Sequence, residues 1–411
     1  MLQILDDFPL IANYKKSGNH FVYLDSAAAT QVPQRALDAQ REWYTALHAT
    51  PHCGNYILSR SATGVVENVR KVIAGHIGAE KGSVIFFHNA ADAIKAITYN
   101  FVLPMLQPGD EIVLSVAEHH NNIIPWLLAA KSAGARCVFL LTDRNGRISD
   151  REIEEKITSR TRFVAVSHVN HVLGSVFPVE RIAQQARSVG AYTLVDASHS
   201  LIRGGLSVEK LSADFVVFSA ETALAPGTTG VLWGKKELLR DMKNDRPSGV
   251  MVDEVSERSF ELLDPPTDLE EIASGADLCA FSVALQYLEE LGDENVLSHE
   301  LALTDRLLAG LRKIPQFRIY GNPDAAEDRR GIVSFNVVGQ NPGLLASYLD
   351  RKGIAVRAGL LNAQPLWSYL GTTGVCRVSV GPYTQTEDID YLLSCIQDVF
   401  LSIRDSAMSG R

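Results

Sequence analysis

Six of the eleven histidines follow closely on short apolar runs. His88 comes after SVIFF, His119 and His120 after EIVLSVAE, and His199 after YTLVDAS, while His168 and His171 flank the end of RFVAVS. Asp196 lies within one of these run-ends, and Glu221 follows ADFVVFS. Imidazoles and carboxyls brought to one place can pass protons near neutral pH, which is general acid–base chemistry. Any one of them alone is as readily a cap or a hydrogen-bonded core residue. Many titratable groups on one rim are costly to bury without a purpose, so the set together points to a pocket. Metal binding is a second use of such residues. His168 and His171 are three apart, Asp196 and His199 repeat that spacing, and histidine with carboxylate suits zinc or iron. That spacing is common by chance and neither pair lies on an evident helix, so no metal site is assigned. The chain has no G-x-x-x-x-G-K-[ST] run and no G-x-G-x-x-G after a strand, which removes the usual signatures of a nucleotide site.

The elements needed to gather these residues can be read from apolar periodicity. Between about residues 80 and 235, SVIFF, EIVLSV, RCVFLL, RFVAVSH, YTLVDAS, ADFVVFS and GVLWG alternate with amphipathic stretches such as ADAIKAITYNF and PVERIAQQARSVG. Near-continuous apolar strands separated by helices predict an α/β fold with a mainly parallel sheet covered on both faces. Ligands of such sheets bind outside the carboxyl ends of the strands, where these side chains fall. The predicted organisation is an N-terminal arm (1–20), a large α/β domain (21–250), a loop-rich linker (251–274) and a smaller C-terminal α+β domain (275–411).

Composition narrows the function class. The chain has 411 residues, 46% hydrophobic and 21% charged, with a formal charge of −9. That charge argues against a nucleic-acid or anionic-membrane surface. Five scattered cysteines without C-x-x-C spacing predict reduced thiols, mostly packed in the core, in a cytoplasmic protein. No stretch approaches a membrane span, and the first residues lack the bases and apolar run of a signal peptide.

Five longer motifs carry a family resemblance. YLDSAAAT (23–30), AEHHNNIIPW (117–126), HVNHVLGSVFPV (168–179), LVDASHS (194–200) and IAVRAGLLNAQPL (354–366) resemble, nearly end to end, those of the class V aminotransferase group of fold-type-I pyridoxal-phosphate (PLP) enzymes. They are most similar to the SufS-like cysteine desulfurases and selenocysteine lyases. The resemblance implies a large domain built on a seven-stranded sheet, a smaller second domain and a homodimer. It also implies that His119 stacks on the pyridine ring, Asp196 pairs with the pyridine nitrogen and Arg357 holds a substrate carboxylate.

The departures from the family pattern are as specific. Where the family has F-S-G-H-K, with the lysine forming a Schiff base to the cofactor, this chain reads Phe218-Ser219-Ala220-Glu221-Thr222. The family's phosphate-gripping G-T-T run is Asn89-Ala90-Ala91, its nucleophilic cysteine is Asn362, and its pocket Asn and Gln are His171 and His199. These departures lead to the expectation of an enzyme that is not a cysteine desulfurase and works without PLP. In it His171, His199, Glu221, Asp196 and His119 would do acid–base chemistry in the former cofactor pocket. Arg357, Asn362, Thr222 and Ser219 would bind a small carboxylate-bearing substrate. No cofactor is expected, although a non-covalent PLP or pyridoxamine form and a metal stay open. Two alternatives remain beside that expectation: a catalytically inactive scaffold or dimer partner, and an enzyme that binds PLP or its pyridoxamine form non-covalently.

Overall fold

A computed structural model describes residues 2–18, 20–79, 84–242, 252–262, 274–324 and 328–409. Its centre is a seven-stranded sheet of β1 (Val84–Phe87), β2 (Glu111–Ser115), β3 (Arg136–Leu140), β4 (Thr161–Ser167), β5 (Tyr192–Asp196), β6 (Phe215–Ser219) and β7 (Gly230–Gly234). The strands lie in the order β1-β7-β6-β5-β4-β2-β3. The β3-β2-β4-β5-β6 pairs are parallel, and β7 runs antiparallel to both its neighbours. Successive side chains of a strand point to opposite faces. Ile85, Phe87, Phe215 and Val217 accordingly enter one apolar core with Trp126 and Phe163. Val84, Phe86, Val216 and Phe218 enter the other, on the opposite face. Strands buried on both faces leave nowhere for polar side chains except their ends, and this is what drives the titratable residues onto one rim.

Two helices shape that rim. α1 (Ala90–Ile97) begins at Asn89, whose side-chain oxygen accepts the N–H of Asp92 at 2.9 Å and so caps the first turn. α2 (Ile124–Ala133) starts with Pro125 in its first turn and stops at Gly134, whose φ of 70° closes the helix in the left-handed region.

The C-terminal region carries an antiparallel four-stranded sheet of the segments Phe317–Tyr320, Ile332–Val337, Val375–Ser379 and Arg357–Gly359. Two cross-connections tie it to the rest. The Val22–Tyr23 strand pairs in parallel with Ile354–Ala355, and Asp25 bridges to Ser379. α3 (Gly275–Leu291) buries Phe281, Leu285 and Leu288 in the core beneath the large sheet. The stretch expected to be a linker contains an antiparallel hairpin, Val252–Val255 with Phe260–Leu262; residues 263–273 lie outside the described set. All five cysteines are free. Cys376 and Cys395 are buried, and Cys53 is exposed rather than packed in the core.

Candidate active site

The carboxyl ends of β1, β2, β4, β5 and β6 open into a cleft of about 410 Å³, a size suited to a small organic ligand. All nine residues expected to do chemistry or bind substrate line it: His119, His171, Asp196, His199, Ser219, Glu221, Thr222, Arg357 and Asn362. His88, His120 and His168 are not among its lining residues. His168 turns away to Ser200, with Nδ1 2.9 Å from the hydroxyl oxygen. His120 accepts the backbone N–H of Gln364 at 3.3 Å.

The turn after β2 is fastened from below by Glu118. Its carboxyl accepts the Ser167 N–H at 3.0 Å, the Ser167 hydroxyl at 3.2 Å and the Asn122 amide at 2.8 Å. Burial pushes the Glu118 carboxyl up to about 7 despite those donors. On this base His119 is held at both ring nitrogens. Nδ1 accepts the Asn121 N–H at 3.1 Å, and Nε2 lies 3.0 Å from the Asn362 side-chain amide.

Opposite His119 a strained strap closes the cleft. Leu361 and Asn362 have φ values of 49° and 55°, unusual for residues with bulky side chains. The strap keeps this shape because its carbonyls are bound: His171 Nε2 donates to Leu361 O at 2.9 Å, the His120 N–H to Asn362 O at 2.9 Å, and Trp367 Nε1 to Leu360 O at 2.8 Å. The His119 and His171 rings meet edge to face at 5.0 Å, and those of His171 and His199 lie nearly parallel at 6.3 Å.

Burial, reinforced by neighbouring positive charge, pulls His119 down to about 4 and holds His171 and His199 well below the usual imidazole value. All three imidazoles are therefore neutral at physiological pH and act as hydrogen-bonding groups, not cations. Asp196 moves the other way: burial raises it, against hydrogen bonds from the Ser198 N–H at 3.0 Å and the Ser198 hydroxyl at 2.6 Å. Glu221 is raised chiefly by burial, and its Oε2 is buried without a partner.

Thr222 is locked by its own hydroxyl, which donates to the carbonyls of Ser198 and Ser219. One lysine, Lys95, is among the described lining residues; its ammonium is half-exposed and pairs with Asp92 at 2.9 Å. Sequence reasoning missed Arg377. This guanidinium is 2% exposed, lines the cleft and donates to His171 O at 2.9 Å and to Asp25 Oδ1 at 2.8 Å, while its Nε is unpartnered. A signal existed: an arginine in the middle of the apolar run VCRVSV requires a partner if that strand is buried.

The family model described as aminotransferase class V matches residues 22–392. A cysteine desulfurase of Pectobacterium carotovorum is 33% identical over 396 residues, 96% of each chain. A probable cysteine desulfurase of Streptomyces coelicolor is 36% identical over 408 residues, again 96% of each. The solved apo cysteine desulfurase of Thermococcus onnurineus has a TM-score of 0.90 at 29% identity, covering 96% of this chain and 97% of that one. A C-DES mutant with glycine covalently linked to its PLP cofactor has a TM-score of 0.80 at 19% identity, covering 96% and 98%, a likeness of fold alone.

These findings correct two expectations. The first was an enzyme independent of PLP and outside the cysteine desulfurases; the full-length relatives are cysteine desulfurases, which overturns it. The second was that no cofactor is expected; membership of the aminotransferase class V family, with cysteine desulfurases as full-length relatives, indicates PLP instead. Both expectations rest on replacements such as Thr222 and Asn362, which share the cleft with the retained Asp196 and His119.

Proposed function

Because the chain belongs to the aminotransferase class V family of enzymes, we propose that it is a PLP-type enzyme acting on a small amino acid, and that it holds its cofactor by side-chain contacts without a covalent bond to lysine. The observation that carries this reading is the partly buried Asp196 carboxyl sharing one cleft with the His119 ring and two guanidiniums. The residues present fit the group. Asp196 would meet the pyridine nitrogen, the His119 imidazole would pack on the ring, and Ser219 with the N-terminus of α1 would face the phosphate. The unpartnered Glu221 Oε2 supports an occupant that supplies a hydrogen-bond partner there. When bound, the cofactor supplies an electron-withdrawing ring that stabilises negative charge developing on the substrate.

This chain's residues do the rest. Arg357 at the mouth and Arg377 within bind the substrate carboxylate, for which a planar donor fork is the natural partner. His171 donates from Nε2 to Leu361 O, so its Nδ1 keeps a lone pair able to accept a hydrogen bond from the ligand. The locked Thr222 hydroxyl and the Asp92-bound ammonium of Lys95 support a cofactor held without an amine link. Cysteine is the first substrate to try, given the relatives' names. Exposed Ile124, Leu127 and Leu128 on α2, which follows directly on the His119 turn, support a homodimer that covers this face. The free cysteines support a cytoplasmic location. Titration with PLP, followed by visible absorbance, should show saturable binding that Asp196→Asn weakens at least about tenfold, the loss of one charged hydrogen bond. Absence of binding to the unmodified protein would end the proposal.

A further inference from the structure

We propose that Glu221 sets the condition for entry of a phosphorylated cofactor: the phosphate end is admitted when the Glu221 carboxyl carries a proton, so that binding takes up a proton from solvent. This rests on the cofactor reading above and concerns one corner of the same cleft.

Three observations define that corner. Ala90, Ala91 and Asp92, the first turn of α1, line the cleft, and a helix N-terminus favours an anion. The Ala90 N–H does not point freely into the cleft; it donates to the Ser219 hydroxyl oxygen at 3.2 Å. Ser219 and Glu221 line the same cleft as that helix end. The Glu221 carboxyl therefore shares this corner with the first turn of α1, with its Oε2 buried and unpartnered. An ionised carboxylate there and a phosphate dianion would occupy neighbouring positions with the same sign of charge. A protonated carboxyl instead offers its O–H to a phosphate oxygen and satisfies the orphaned atom.

The surrounding charges favour that proton. From β5, Asp196 adds negative charge and raises the Glu221 carboxyl further, on top of the larger effect of burial. From α1, Asp92 and Lys95 face the cleft as a pair that largely cancels itself. His119, His171 and His199 contribute no charge near neutral pH. Arg357 and Arg377 are the cations of the lining that remain, and Arg377 is already paired with Asp25.

The test compares the unmodified protein with Glu221→Gln, using PLP and unphosphorylated pyridoxal as probes, from pH 6 to 9. Dissociation constants come from visible absorbance, and proton uptake from calorimetry in two buffers of different ionisation enthalpy. The unmodified protein should lose affinity for PLP about tenfold per pH unit above the Glu221 titration, relative to the Gln variant, and take up about one extra proton. Pyridoxal should show no such difference between the two proteins. Glu221→Ala, which leaves space in place of the amide, should lose the pH dependence as Gln does. Matching PLP profiles in all three proteins would overturn the role of Glu221 while leaving the cofactor reading intact. If no protein binds either probe, both fall together.

Discussion

Replacing His119 by glutamine should change how the protein tolerates acid more than how stable it is at neutral pH. Gln can still meet the Asn121 N–H and the Asn362 amide that hold the imidazole at 3.1 and 3.0 Å. What it cannot do is titrate. Burial first, then the positive charges of His120, Arg357 and Arg377, hold His119 down at about 4 in the folded state, against about 6.5 in an unfolded chain. The sign follows from proton binding. Between those two values the unfolded chain binds the proton and the folded one does not, so stability is complete above about pH 6.5 and drains away as pH falls towards 4. At roughly 1.4 kcal/mol per pH unit, His119 costs the folded state about 1.4 kcal/mol at pH 5.5 and about 2 kcal/mol at pH 5. Urea unfolding of both proteins at pH 7.5, 5.5 and 5 reads this directly, since His171 and His199 remain in both. The variant should lose less stability on acidification by those amounts. Parallel losses, within about 0.5 kcal/mol at pH 5, would refute the neutral, buried imidazole on which the site's electrostatics rest.

Two further outcomes are expected. A methyl group added at Gly230 would lie 2.1 Å from the carbonyl carbon of Asn89 and 2.6 Å from the Ala90 nitrogen, so Gly230→Ala must displace the start of α1. PLP affinity should fall about tenfold or more while folding loses about 1–3 kcal/mol, typical of overpacking; unchanged affinity would remove the helix N-terminus from the binding site. Leu128→Asp places a charge on the exposed apolar face of α2 and should convert a dimer to a monomer by analytical ultracentrifugation. A variant that stays dimeric would place the contact elsewhere.

Much of the site was legible because the chain obeys a simple economy of burial. Strands such as Phe215–Ser219, buried along their whole length, force polar side chains to their ends, so Asp196, Glu221, His119, His171 and His199 could be assigned to one rim from the sequence, while His88, His120 and His168 do not line the cleft. Side-chain direction within a turn was less accessible. His168 and His171 are three residues apart, yet one faces Ser200 and the other the cleft. Contacts between distant segments were invisible. Arg377 reaches Asp25 across 352 positions, and the Val22–Tyr23 strand finds Ile354–Ala355 only in the folded chain. Protonation state was also hidden. Three histidines in a row of motifs suggest proton carriers, but only their burial beside two guanidiniums makes them neutral hydrogen-bonding groups.

Borohydride treatment of the PLP-loaded protein, followed by intact-mass measurement and peptide mapping, tests the mode of cofactor attachment most directly. Reduction fixes any bond between cofactor and lysine permanently. With PLP binding already evident from absorbance, the chain should emerge at its unmodified mass after unfolding, and the cofactor should be recovered free. A stoichiometric cofactor adduct on Lys95, or on any other lysine, would contradict a cofactor held by Asp196, His119 and Ser219 alone.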